Sequence, residues 1–146
     1  MSKNETVTLK VKPGTTGGNG WTQTNASNGQ SYLFKYSGGE EDKGGLKTKV
    51  GDGQATIALS LDTDNRYSIF GVNFYQDLQH QLSWQPTAGS QATGTITDLN
   101  SIAENSDYIA VVVDAQANGA TIYCDPMIQN EPRGPMPMPR IMHMAQ

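Results

Sequence analysis

One cysteine, Cys124, and two histidines, His80 and His143, are all that this 146-residue chain offers in thiol or imidazole chemistry. A lone cysteine excludes an internal disulfide, so oxidative cross-linking has no part in stability. The short inventory also removes most catalytic constellations. Outside the C-terminal tail a Ser-His-Asp arrangement has only His80 to draw on, and no G-x-S-x-G elbow presents a nucleophile. A blue-copper site needs two His, a Cys and a weak axial ligand held rigidly together. Here Cys124 is followed by Asp125-Pro126-Met127, with no His close behind it. Cys124 therefore reads as a small buried hydrophobe beside Ile122, and His80 as a residue at the edge of an apolar face. No cofactor is expected.

Long hydrophobic runs are missing as well. None approaches the ~20 residues that span a bilayer, and the N-terminus enters alternating polar and apolar residues without an apolar signal region. The expectation is a soluble, cytoplasmic protein with no membrane partner. Positive charge is scarce through the middle of the chain. Residues 50–130 hold one Arg against nine acids, whereas residues 1–49 hold seven Lys against four acids, and the net charge is −4. An acidic body does not suit a phosphate backbone, which needs clustered Lys and Arg to release counterions, so no nucleic-acid partner is expected. Gly39-Glu40-Glu41-Asp42-Lys43-Gly44 opens like a phosphate loop but continues Gly45-Leu46-Lys47, and its acids repel phosphate.

What the sequence does contain is alternation with period two. Val7, Leu9 and Val11 share one face, as do Tyr32, Phe34 and Tyr36, then Ile57, Leu59 and Leu61, then Phe70, Val72 and Phe74, and finally His80, Leu82 and Trp84. Residues 93–97 form a Thr-rich strand. Residues 108–113 (YIAVVV) are apolar after the first, which predicts a central strand covered on both sides. Asn118-Gly119 marks the turn into a last strand at 120–124. The only helical candidate is about one turn at 101–105. About eight short strands with almost no helix predict an all-β, antiparallel β-sandwich, immunoglobulin-like or Greek-key. Tyr108 sits where immunoglobulin-like folds place a tyrosine whose hydroxyl bonds to upstream backbone. We assign one domain, residues 1–130, and an extended tail, 131–146.

Three features are candidates for contact with other molecules. Asp62 and Asp64, with Asp52 or Asp77, are candidate calcium ligands, although the twelve-residue loop with its terminal Glu is absent. Trp21, in a loop rich in Asn, Thr and Gly, is a candidate carbohydrate platform. The tail holds four of the seven prolines and four of the six methionines. Pro alternating with Met forbids helix and ladder, and Met is an adaptable apolar anchor. The expectation is a homo-oligomer, a dimer or small ring, formed through the tail, unless the tail folds over its own sandwich.

Cys124-Asp125-Pro126 and Glu131-Pro132, where the last predicted strand ends, resemble the signature of the DP-EP family of small bacterial proteins. The likeness extends upstream through Gln81-Leu82-Ser83-Trp84, Thr97-Asp98-Leu99-Asn100 and residues 108–114, and so covers about residues 55–132. The resemblance implies a bacterial β-sandwich without an assigned activity, and brings no catalytic residues. The end of the sandwich is also similar, at the level of fold, to AidA/PixA inclusion-body proteins. Physically, Pro126 and Pro132 cannot donate to a ladder and direct the chain off the sheet. Asp125, held extended by the following Pro, is placed to accept backbone N–H groups, and Glu131 to do likewise or to pair with Arg133. The four residues read as a structural motif. The function expected is that of a non-enzymatic β-sandwich, structural or self-associating, with calcium or carbohydrate binding as the alternative.

Overall fold

The computed structural model describes residues 3–16, 18, 20–39, 42–63, 65–103, 105–124 and 140–144. The strands are β1 (Asn4–Pro13), β2 (Thr22–Asn25), β3 (Ser31–Gly38), β4 (Leu46–Lys49), β5 (Ala55–Leu61), β6 (Tyr67–Tyr75), β7 (Leu82–Pro86), β8 (Thr93–Asp98), β9 (Asn105–Asp114), β10 (Ala120–Cys124) and β11 (Arg140–Met144). The fold is all-β. Among the described residues the one helical element is a 3-10 turn at Ala115–Ala117, and no helix is long and apolar enough to cross a membrane. The helical turn expected at 101–105 is not there: residues 101–103 are irregular and Asn105 opens β9.

Two sheets enclose one core. The first has the order β2-β3-β1-β5-β8-β7, antiparallel throughout except for the parallel pair β1–β5. In the second, β9 is central. Its residues Ala110–Asp114 pair with β6 on one side and β10 on the other, while Asp107 pairs with Tyr75 of β6 and with Arg140 of β11. Hence β10 and β11 lie on the same edge of β9, and β11 in turn carries β4 in parallel. Along that edge Cys124 lies opposite Ala110 and Arg140 opposite Asp107. Three positions along β9 thus correspond to sixteen along the chain.

The alternating residues fill the space between the sheets. Val7, Leu9, Phe34, Ile57, Leu59 and Ile96 of the first sheet meet Tyr108, Ala110, Val112, Ile122 and Cys124 of the second in a single buried cluster. Each large apolar side chain so enclosed contributes about 1.5–3 kcal/mol relative to exposure. Three aromatic contacts of edge-to-face geometry (Tyr32–Tyr67, Phe34–Tyr36 and Tyr36–Tyr108) run through this layer. The expected face of Phe70, Val72 and Phe74 is corrected by a bulge between Ile69 and Gly71. The extra residue shifts the alternation, so Ile69, Val72 and Phe74 pack inward and Phe70 turns out, 79% exposed.

The ends of the two sheets are latched by Asn100. This residue sits just after β8 in the left-handed region (φ 56°), where its own N–H donates to the Asp98 carboxylate at 2.9 Å. Its Nδ2 lies 2.6 Å from the Lys49 carbonyl at the end of β4, 3.0 Å from that of Gly53 and 3.2 Å from Thr48 Oγ1. Glycine keeps the backbone conformation and removes the side chain. Asn100→Gly should therefore lower stability by about 1–2 kcal/mol through the stranded carbonyls alone, read as a lower urea midpoint with an unchanged m-value.

Candidate functional site

The outer face of the second sheet carries a trough of about 740 Å³. Its floor follows from the double apolarity of β9. Tyr108, Ala110 and Val112 point into the core, so Val111 and Val113 face the other way, and both line the trough. The register sets Gly71 of β6 and Tyr123 of β10 on either side of Val111, and Thr121 beside Val113. Phe70, re-aimed by the bulge, stands next to Gly71, and Val72, Phe74 and Trp84, which also pack against the core, complete the apolar part of the lining. Among the described residues none of those lining the trough is charged. At Gly71 an added Cβ would meet nothing within 4 Å. The surface thus presents a projecting phenyl ring directly beside an open notch. Phe70 and Tyr123 are 79% and 41% exposed.

Beneath one end lies a buried polar cluster that the sequence reading missed. Asp114 closes β9 with no solvent exposure. Its Oδ1 accepts from Arg66 Nε at 2.9 Å and from the Gln116 N–H at 3.0 Å. Its Oδ2 accepts from Arg66 Nη2 and the Tyr32 hydroxyl, both at 2.6 Å. The Arg66 hydrogen bonds hold the Asp114 carboxyl below its ordinary range, against the opposing effect of burial. Tyr32 is pushed up to about 12, first by burial and then by its hydrogen bond to Asp114. Both carboxylate oxygens are occupied by partners inside the fold, so the cluster is built to hold β3, β6 and β9 together. Arg66 and Asp114 are 48 residues apart in sequence, and no local pattern connects them.

The residues singled out from the sequence are dispersed. Trp21 is half-buried, with the Lys12 ammonium 4.3 Å from the ring centroid, which places a cation over one aromatic face. Asp62 is exposed, and its N–H donates to the Leu9 carbonyl. Asp77 accepts from the Gln81 N–H at 2.7 Å and the Leu82 N–H at 3.1 Å, shaping the turn in which His80 adopts φ 53°. Among the described residues no three His, Cys, Asp or Glu converge. Asp64, Asp125, Pro126, Glu131 and Pro132 lie outside the described residues. Tyr108 is fully buried, and its hydroxyl donates to the Gly44 carbonyl at 2.6 Å, across the core.

Cys124 is buried, and its carbonyl meets a side chain of the other sheet. The Tyr36 hydroxyl donates to the Cys124 carbonyl at 3.0 Å and accepts from the Ala110 N–H at 3.2 Å. Cys124 and Ala110 are register partners, so a side chain from the opposite sheet stands between the two groups. Gly71 inside a strand pattern was the available signal for the bulge. Nothing comparable marked Tyr36 as a wedge. No protein-family model and no curated protein matches the chain.

Proposed function

We propose that this chain is a non-enzymatic, structural β-sandwich that associates with copies of itself. The observation that carries this reading is the trough and the ring beside it. An exposed apolar surface of this kind on a folded domain marks an interaction site, and an uncharged lining offers nothing to an ionic ligand. Knob and notch are adjacent on one face. A twofold axis through that face sets Phe70 of each copy over the Gly71 notch of the other, the self-complementary arrangement that closed dimers require. The polar groups of the buried cluster support the same reading, since they are bonded to one another rather than aimed at a substrate. The DP-EP likeness, a cytoplasmic location and the structural part assigned to Asp125, Pro126, Glu131 and Pro132 belong to this proposal. Calcium or carbohydrate binding draws less support, because Asp77 is engaged by backbone N–H groups and one face of Trp21 carries the Lys12 ammonium.

Sedimentation velocity tests it. The full chain should run as a dimer at tens of micromolar. Phe70→Ser removes two buried phenyl rings per dimer, and at about 1.5–3 kcal/mol each this weakens association more than tenfold. Gly71→Trp should do the same by filling the notch, since the position has space and no positive φ. Identical sedimentation of all three chains, with circular dichroism showing each one folded, would overturn the reading.

A further inference from the structure

We infer that the outer face of the first sheet holds an anion site: Lys10, Lys12 and Lys35, gathered beside Trp21, take a compact oxyanion of two or more negative charges, of the pyrophosphate type. The trough belongs to the other sheet, so this site stands whether or not copies of the chain associate.

The strand register brings the charges together. Leu9 and Val11 point into the core, so Lys10 and Lys12 of β1 stand on the outer face. Phe34 and Tyr36 turn Lys35 of β3 outward in the same way. The antiparallel ladder then sets Lys10 directly opposite Lys35, and Lys12 opposite Leu33. Like charges at facing positions destabilise a sheet, where opposite charges would support it. A bound anion offsets that repulsion.

The loop ahead of β2 completes the site. Leu33 is 2% exposed although it shares the outer face with Lys35, and a Cβ at Gly14 would lie 3.6 Å from its Cδ1. The loop therefore lies over this part of the sheet. At the loop's end two consecutive residues each receive a lysine. A Cβ at Gly20 would lie 3.0 Å from Lys35 Cε, so the Lys35 stem rests on the glycine, and the Lys12 ammonium is 4.3 Å from the Trp21 ring centroid. Lys10 adjoins both. Among the described residues none of the three lysines makes an ion pair. Asp62 comes near, through the bond from its N–H to the Leu9 carbonyl, but it pairs with none of them.

The size of the patch selects its occupant. The three lysines span about 5 Å across the ladder and about 7 Å along it. In the next row Thr8 faces Ser37 and Ser60, all uncharged. A membrane surface takes clusters of about four to eight basic residues, and a nucleic acid takes a track of them along its backbone. A small ion with adjacent charged oxygens meets all three ammoniums at once, in short charge-assisted hydrogen bonds.

Inorganic pyrophosphate is the probe, and Trp21 is the reporter. Emission is followed as pyrophosphate is added to the full chain at low salt. Chloride at matched ionic strength is the blank, and Trp21→Phe isolates the signal of the only other tryptophan, Trp84. We expect a saturable change in the wild type, because the anion draws the Lys12 ammonium away from the ring. Lys10→Gln and Lys35→Gln should each weaken binding at least about fivefold, as the loss of one unit charge at about 4 Å in water implies. Lys35→Gln should leave the urea midpoint undiminished, since it removes a repulsion, so its loss of binding is not a loss of fold. Lys47→Gln takes the same charge from β4 in the second sheet and should bind as the wild type does. Wild-type emission that only follows the chloride blank up to millimolar pyrophosphate would overturn the site. Equal weakening by Lys47→Gln and Lys35→Gln would overturn it too, since binding would then track net charge. Capture by phosphatidylserine vesicles without a response to pyrophosphate would overturn the occupant and assign the patch to a membrane surface.

Discussion

Asp114→Ala should lower stability by about 3–5 kcal/mol, the range for breaking a buried ion pair by removing one partner. The substitution leaves the Arg66 guanidinium, the Tyr32 hydroxyl and the Gln116 N–H without the acceptor they share. Arg66 retains 20% side-chain exposure, so water relieves part of its loss and the lower end of the range is expected. Chemical unfolding measures this directly. The pH dependence gives a second readout. A carboxyl with a depressed folded pKa contributes stability that is present above its unfolded value, 3.8, and lost as pH falls through the folded one. The acid limb of the wild type should therefore be steeper than that of the variant. At the alkaline end the sign reverses. Tyr32 rises from 10.0 to about 12, so its contribution is complete below pH 10 and is lost as pH rises from there towards 12. Asp114→Ala should move that loss to lower pH without abolishing it, since burial, the larger cause, remains. Tyr32→Phe should remove it.

The second large effect belongs to Tyr36. Its hydroxyl serves the Ala110 N–H and the Cys124 carbonyl, both within the buried core. Tyr36→Phe strands the buried Ala110 N–H and takes a donor from the Cys124 carbonyl, for an expected loss of about 1–3 kcal/mol. It should also raise the hydrogen-exchange rate of the Ala110 amide more than that of Val112, which lies further along the β9–β10 ladder. A loss below about 0.5 kcal/mol would mean that the two strands close directly on each other when the wedge is removed.

The strands that sequence revealed are those with a buried face on one side only. Val7, Leu9 and Val11, or Ile57 and Leu59, alternate because one side meets the core and the other meets water. The exception, the apolar run at 108–113, announced the central strand by the opposite pattern, since Ile109 and Val111 are buried as well as the core-facing Tyr108, Ala110 and Val112. Three strands stayed hidden. β2 (TQTN) and β4 (LKTK) are four residues long and mostly polar, and β11 (RIMHM) follows a stretch whose prolines forbid a ladder. Short segments of this kind are strands because of what they pair with, and pairing is not written in their own composition. The two parallel ladders, β1–β5 and β4–β11, escaped for that reason too. The trough was half legible. Its floor could be inferred from the second apolar face of β9, but the bulge that re-aims Phe70 depends on a register shift that alternation alone does not disclose.

Native mass spectrometry of the full chain mixed with its own isotope-labelled copy tests self-association most directly. The account predicts dimers of three masses at tens of micromolar (light, mixed and heavy in a ratio of about 1:2:1), as random pairing of identical partners requires. Monomers of two masses and nothing heavier, at the same concentrations and with the fold intact, would contradict it.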